Sequence, residues 1–113
     1  MQVRVYREGT LIGTANLEHL DPPMGVAFGP FDASDHYERG RDANVIDGQY
    51  AGDNGRQLLV YADENTPLKT ASNLIEDDSD PRIGKQLSLM FENSDDFDAL
   101  FSSHDDYKAY YER

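Results

Sequence analysis

Apolar and polar positions alternate with a period of two through most of the first third of the chain. Val3 and Val5 stand against Arg4 and Tyr6, a pattern that predicts a half-buried strand. Glu8-Gly9 supplies turn chemistry, because glycine tolerates positive φ. On the returning strand Leu11, Gly13, Ala15 and Leu17 share one face, while Ile12, Thr14, Asn16 and Glu18 share the other. Asp21-Pro22-Pro23 breaks the pairing, since proline has no backbone donor and turns the residue before it away from helix. Met24, Val26 and Phe28 then alternate with Gly25, Ala27 and Gly29, a third strand that completes a meander over residues 2–31.

Residues 32–56 are of another kind, rich in Asp, Gly, Asn and Arg, with Tyr37, Val45, Ile46 and Tyr50 as anchors. Ser34 is placed to cap a short helical turn through Glu38 that Gly40 ends. The segment reads as a long crossover, a feature that in compact domains is often functional. Alternation resumes at Gln57, with Leu58, Val60 and Ala62 set against Leu59 and Tyr61. Pro67 argues for an edge position, and Glu76 to Pro81 forms a second proline break. Leu87, Leu89 and Phe91 alternate with Ser88 and Met90 as a last strand, which lacks proline and leaves a homodimer through that edge open.

The two alternating stretches resemble one another. Val5-Tyr6, Thr10, Thr14-Ala15, Asn16-Leu17, Glu18, Asp21-Pro22 and Gly25 recur in order as Val60-Tyr61, Thr66, Thr70-Ala71, Asn73-Leu74, Glu76, Asp80-Pro81 and Gly84. The extra residues of the second copy fall in turns or where a bulge at Ser72 or Ile75 absorbs them. A repeated supersecondary unit points to an architecture. The expected fold is mainly β: a single-domain antiparallel β-sandwich or small barrel built from two repeated three-stranded meanders, residues 2–31 and 57–92.

Beyond residue 92 the period changes. Phe97, Leu100 and Phe101 lie at helical spacing, and Tyr107, Tyr110 and Tyr111 repeat it. Ser94 and Ser103 each precede paired carboxylates, which predicts two short N-capped helices over residues 94–112.

Charge adds a direction. The 113 residues carry a formal net charge of −12, and residues 76–106 hold ten acids against Arg82 and Lys85. Such a surface repels nucleic-acid phosphates and anionic membranes and attracts a basic protein patch. No run of apolar residues is long enough to span a bilayer, no leader is expected ahead of the first strand, and there are no cysteines to form disulfides or thiolate sites. A soluble, cytoplasmic protein is the expectation.

Candidate chemistry is sparse. His19, His36 and His104 form no local metal spacing. The loop carboxylates Asp77, Asp78 and Asp80 are the candidate ligands for a hard cation, and Asp42, Asn44 and Asp47-Gly48 form a looser run of oxygen donors. No nucleophile elbow, phosphate loop or cofactor motif is present, so no cofactor is expected. Gly25 and Gly29 leave one strand face almost bare, open to another backbone, ring or ligand. The pattern reads as a non-enzymatic protein-binding module, with Tyr107, Tyr110, Tyr111, Gly25 and Gly29 as candidate contacts and a protein with a basic surface as partner. Two other readings stand beside it: a small-ligand or hydrolytic barrel using His19 or His104 with nearby acids, and an acidic inhibitor that mimics nucleic acid.

Overall fold

The alternating stretches form strands in a computed structural model that describes residues 1–51, 58–62 and 67–111. β1 (Gln2–Arg7) and β2 (Thr10–Asn16) make a hairpin whose turn residues Glu8 and Gly9 both hold positive φ, the primed-turn geometry that matches strand twist. β3 (His19–Asp21) pairs with the start of β4 (Val26–Ala33), and the Pro22–Met24 turn between them ends at Gly25, φ 64°. The crossover carries a one-turn helix α1 (Arg39–Asp42) and a small hairpin, β5 (Val45–Ile46) and β6 (Gln49–Tyr50). β7 (Leu58–Tyr61), β8 (Thr70–Asp77) and β9 (Lys85–Phe91) follow, then α2 (Ser94–Phe101) and α3 (Asp105–Tyr111).

The nine strands of the described residues join one sheet in the order β6-β5-β8-β9-β4-β2-β1-β7, with β3 as a branch on β4. The sheet is mixed and curls into a half-barrel. The expectation of purely antiparallel pairing needs one correction: β5 runs parallel to β8, Val45 opposite Glu76. The crossover brings the chain alongside β8 in the same direction, so a parallel pair is the only one available there. A second correction concerns self-association through Leu87 to Phe91. β9 lies between β8 and β4 and has both edges paired, so it offers no free edge.

Register explains which residues face inward. β1 alternates cleanly, with Val3, Val5 and Arg7 buried. On β2 the ladder slips so that Val5 faces Gly13 while Tyr6 faces Leu11. Ile12 is the extra residue of that bulge; it turns inward and is 0% exposed, where strict alternation had placed it outward. β8 slips in the same manner between Thr70 and Ser72, leaving Ala71 unpaired. Ile75, Leu87 and Leu89 complete the centre of the core.

The two ends of the half-barrel close differently. At one end Phe97 and Phe101 of α2 pack edge-on against Phe91, with ring centroids 5.8 Å apart in both pairs. At the other, the inward positions are Arg7 at the end of β1 and Asp77 at the end of β8, and the crossover covers them. Among the described residues no helix is long and apolar enough to cross a membrane.

Both helix caps differ from expectation. Asn93, not Ser94, caps α2, its side chain accepting from the Asp95 amide at 2.8 Å. At α3 the acceptor is Nδ1 of His104, 3.0 Å from the Asp106 amide. In each case a residue with a side-chain acceptor two positions before the free N–H outcompetes the expected serine. The turn at Ser34 is not helical: Ser34 Oγ donates to the Leu11 carbonyl at 2.7 Å, and the helix begins only at Arg39 and runs through Gly40. The second meander's first turn, residues 63–66, and the end of the crossover, 52–57, lie outside the described residues.

Candidate functional site

The C-terminal tyrosines sit on a helix whose other face is fixed to the sheet. Asp106 accepts from the Leu20 amide at 3.0 Å, which ties α3 to the edge strand β3 and occupies a backbone donor that would otherwise be open. Tyr107 is half-buried; its ring lies 6.3 Å from Phe97 and its hydroxyl donates to Asp98 at 3.0 Å. Burial and then that bond raise its phenol above the ordinary value. Tyr111 packs on Tyr107 and Tyr110, with centroids 4.6 and 4.8 Å apart, and stays 56% exposed. Tyr107 is thus a packing residue, while Tyr110 and Tyr111 offer surface.

The charges separate. Among the described residues the arginine–carboxylate pairs all lie between Arg7 and Arg82, joining Glu8, Glu38, Asp42, Asp47, Asp77 and Asp80 to arginines. Asp95, Asp96, Asp98, Asp105 and Asp106 on the two helices have no lysine or arginine within 4.0 Å among those residues. Glu18, Asp21, Asp32, Asp35, Glu76, Asp78 and Glu92 share that condition among the described residues, but only the helical five stand on the elements that carry Tyr107, Tyr110 and Tyr111.

The candidate cation ligands do not converge. Asp77 turns inward, accepting from Tyr37 Oη at 2.6 Å with Arg39 Nε 3.4 Å away. Asp78 accepts from the Asp80 amide at 2.8 Å, and Asp80 grips Arg82 through Nε and Nη2. Of the looser run, Asp42 is buried against Arg7, Asn44 Oδ1 accepts from the Ile75 amide, and Asp47 bonds Ser79 and Arg39. Among the described residues no three acidic or histidine side chains are placed to share a metal ion.

The bare glycine face is filled by the chain itself. A Cβ on Gly29 would stand 1.8 Å from the Asn16 carbonyl oxygen, so the backbone leaving β2 occupies the strip. Gly25 serves its turn, and a Cβ there would meet nothing within 4 Å.

The histidines divide into two settings. His36 is exposed on the crossover. His19 and His104 both reach Asp106, the first at 3.9 Å from its carboxylate and the second through its amide. His19 also leans on Phe28, centroids 5.4 Å apart.

Sequence reasoning missed the polar plug of the crossover. Arg7 donates to both carboxylate oxygens of Asp42, at 2.6 Å to Oδ1, and Asp42 also accepts from the Glu38 amide at 2.8 Å. Tyr37 packs on Phe31 with centroids 5.6 Å apart, and Lys85 Nζ lies 5.8 Å from its ring centre. Burial, then the bond to Asp77, lifts the Tyr37 phenol far above its ordinary range. One signal was available: Arg7 continues the buried parity of Val3 and Val5, so an inward-facing charge needed a partner. Comparison with protein-family models, with curated proteins and with solved structures finds no match to this chain.

Proposed function

We propose that this chain is a non-enzymatic protein-binding module whose acidic helical face docks a basic surface on a protein partner. The observation that carries the reading is acid beside tyrosine: the five aspartates of α2 and α3 have no arginine or lysine within 4.0 Å among the described residues, whereas Glu8, Glu38, Asp42, Asp47, Asp77 and Asp80 are paired with arginines. Exposed Tyr111 and partly buried Tyr110 beside them suit an interface, since tyrosine buries area at low entropy cost and keeps a polar tip. The hydrolytic reading has less support, because the Asp106 oxygen nearest His19 already accepts from the Leu20 amide. The mimic of nucleic acid asks for evenly spaced outward acids, whereas here they gather at the starts of two short helices.

For the scaffold, the reading is a duplicated meander closed towards a small barrel. In its favour, equivalent strands lie side by side and antiparallel: β1 beside β7 with Val5 opposite Val60, and β4 beside β9. Gly25 and Gly84 end their proline turns at φ 64° and 69°. Past those turns the copies part by one residue, since Ala27 and Leu87 are the first buried positions. The seam between β7 and β8 is bridged by Asn73 Nδ2 donating to the Leu58 carbonyl at 2.7 Å.

The test is affinity capture from the native cell with the full chain as bait, in parallel with a variant carrying D95N, D96N and D105N. The expected result is a partner that binds at low salt, releases as salt rises, and is lost with the variant. Identical capture by both baits would overturn the reading.

A further inference from the structure

Between β3, the Pro22–Met24 turn and α3 lies a surface depression of about 490 Å³. Its walls are apolar and flat: Pro22, Pro23, Phe28 and Tyr110. Its rim carries two carboxylates, Asp21 and Asp106. The local chain explains why the exposed Asp21 carboxylate is left open to a partner there. It stands at the N-cap of a 3-10 turn but makes no side-chain cap bond, and Pro22 and Pro23, which follow it, have no N–H to offer. Asp106 spends one oxygen on the Leu20 amide. Among the described residues no lysine or arginine reaches either carboxylate.

We infer that this depression binds an arginine side chain from a protein partner, the guanidinium resting between Phe28 and Tyr110 with its charge directed to Asp21 and Asp106. This rests on the module reading above and names its anchor. Charge complementarity selects a cation, since both carboxylates of the depression stand without a lysine or arginine within 4.0 Å among the described residues. The walls select arginine over lysine, because a planar, weakly hydrated guanidinium stacks on aromatic and proline surfaces while its edge still donates to carboxylates. Asp106 has a positioning part as well, since its other bond holds α3 against β3 and so sets the width of the cleft.

The probe is a fluorescein-labelled peptide of alternating arginine and glycine, compared with the same peptide carrying citrulline, which keeps the shape and loses the charge. Binding to the full chain is read by anisotropy at physiological salt, and the location by amide chemical-shift changes. Two variants remove one charge each: D21N at the depression, where the carboxylate makes no structural bond, and D35N, an exposed carboxylate of the crossover outside both the depression and the helical face. Circular dichroism checks that both fold. The expected result is a loss of about fivefold in affinity for D21N, the upper end for an exposed ion pair, with less than a twofold change for D35N. Shifts should centre on Leu20, Asp21, Ala109 and Tyr110. Equal losses for the two variants would overturn the arginine site, and shifts centred on α2 instead would overturn it while leaving the acidic module standing. Arginine and citrulline peptides binding alike would overturn both.

Discussion

Replacing Asp42 by alanine leaves the buried Arg7 guanidinium with the exposed Glu38 carboxylate, 3.7 Å away, as its remaining acidic partner among the described residues. The Asp42 side chain is 0% exposed and that of Arg7 is 8% exposed. Three donations converge on the carboxylate, two from Arg7 and one from the Glu38 amide that opens α1. Removing one partner of a buried pair costs about 3–5 kcal/mol, because the remaining charge keeps its desolvation penalty and loses the attraction that offset it. Against a typical domain stability of about 5–15 kcal/mol this is a large share. At roughly 4 °C per kcal/mol it lowers the melting temperature by about 12–20 °C. The companion variant R7M/D42L replaces the pair by apolar groups and should fall within about 1 kcal/mol of the parent, since neither member is then left charged. Arg82–Asp80 supplies an internal contrast, for Arg82 is 89% exposed and R82A should cost under about 1 kcal/mol. Urea denaturation followed by far-UV circular dichroism measures all four. A D42A variant within about 1 kcal/mol of the parent, or an R7M/D42L variant as unstable as D42A, would refute the view that this pair is a buried, coupled unit.

Three further outcomes follow from the same geometry. G29A should destabilise by about 3 kcal/mol or more, since the new methyl meets backbone that cannot yield as a side chain would; thermal melts read it, and a near-neutral result refutes the close approach of β2. Y37F should cost about 1–3 kcal/mol by taking a donor from buried Asp77. In the folded protein the Tyr37 phenol should resist ionisation in a spectrophotometric titration after exposed tyrosines have titrated. Its raised value stabilises the fold below about pH 10 and loses that contribution as pH climbs further; full titration of all tyrosines near pH 10 without unfolding would refute this. Asp47, held low by the Ser79 amide and hydroxyl and then by Arg39, and Asp80, held low by Arg82, contribute stability above about pH 4 that is lost as pH falls below it. D47N should flatten that acid-side slope in urea midpoints measured from pH 5 to pH 2.5, and an unchanged slope would refute the assignment.

Much of the scaffold was legible because strands report themselves locally. Period-two alternation marked β1, β7 and β9, and Glu8-Gly9 marked a hairpin. The same logic applied to Asp47-Gly48, whose φ values of 50° and 80° close the β5–β6 hairpin, yet there the acids drew attention as ligands instead. The bulge at Ile12 was not legible, since an inserted residue changes sides only when its partner strand is known. The helical face was readable as composition, its isolation from arginines was not, and the depression at Asp21 joins residues about 85 apart in the chain through one bond, from the Leu20 amide to Asp106.

By itself the sequence determined the β class, the proline turns, the aromatic stripes of the helices and the surplus of acid, because each depends on neighbours within a few residues. Tertiary structure alone decided that β9 is an interior strand, that Arg7 meets Asp42 and Asp77 meets Tyr37, that Gly29 is pressed by its own backbone, and that five helical aspartates stand apart from any described arginine or lysine. Those facts turn on long-range pairing, where one ladder slip or one crossover path changes which charges meet. A local pattern holds the parity of a strand but not the identity of what lies opposite it.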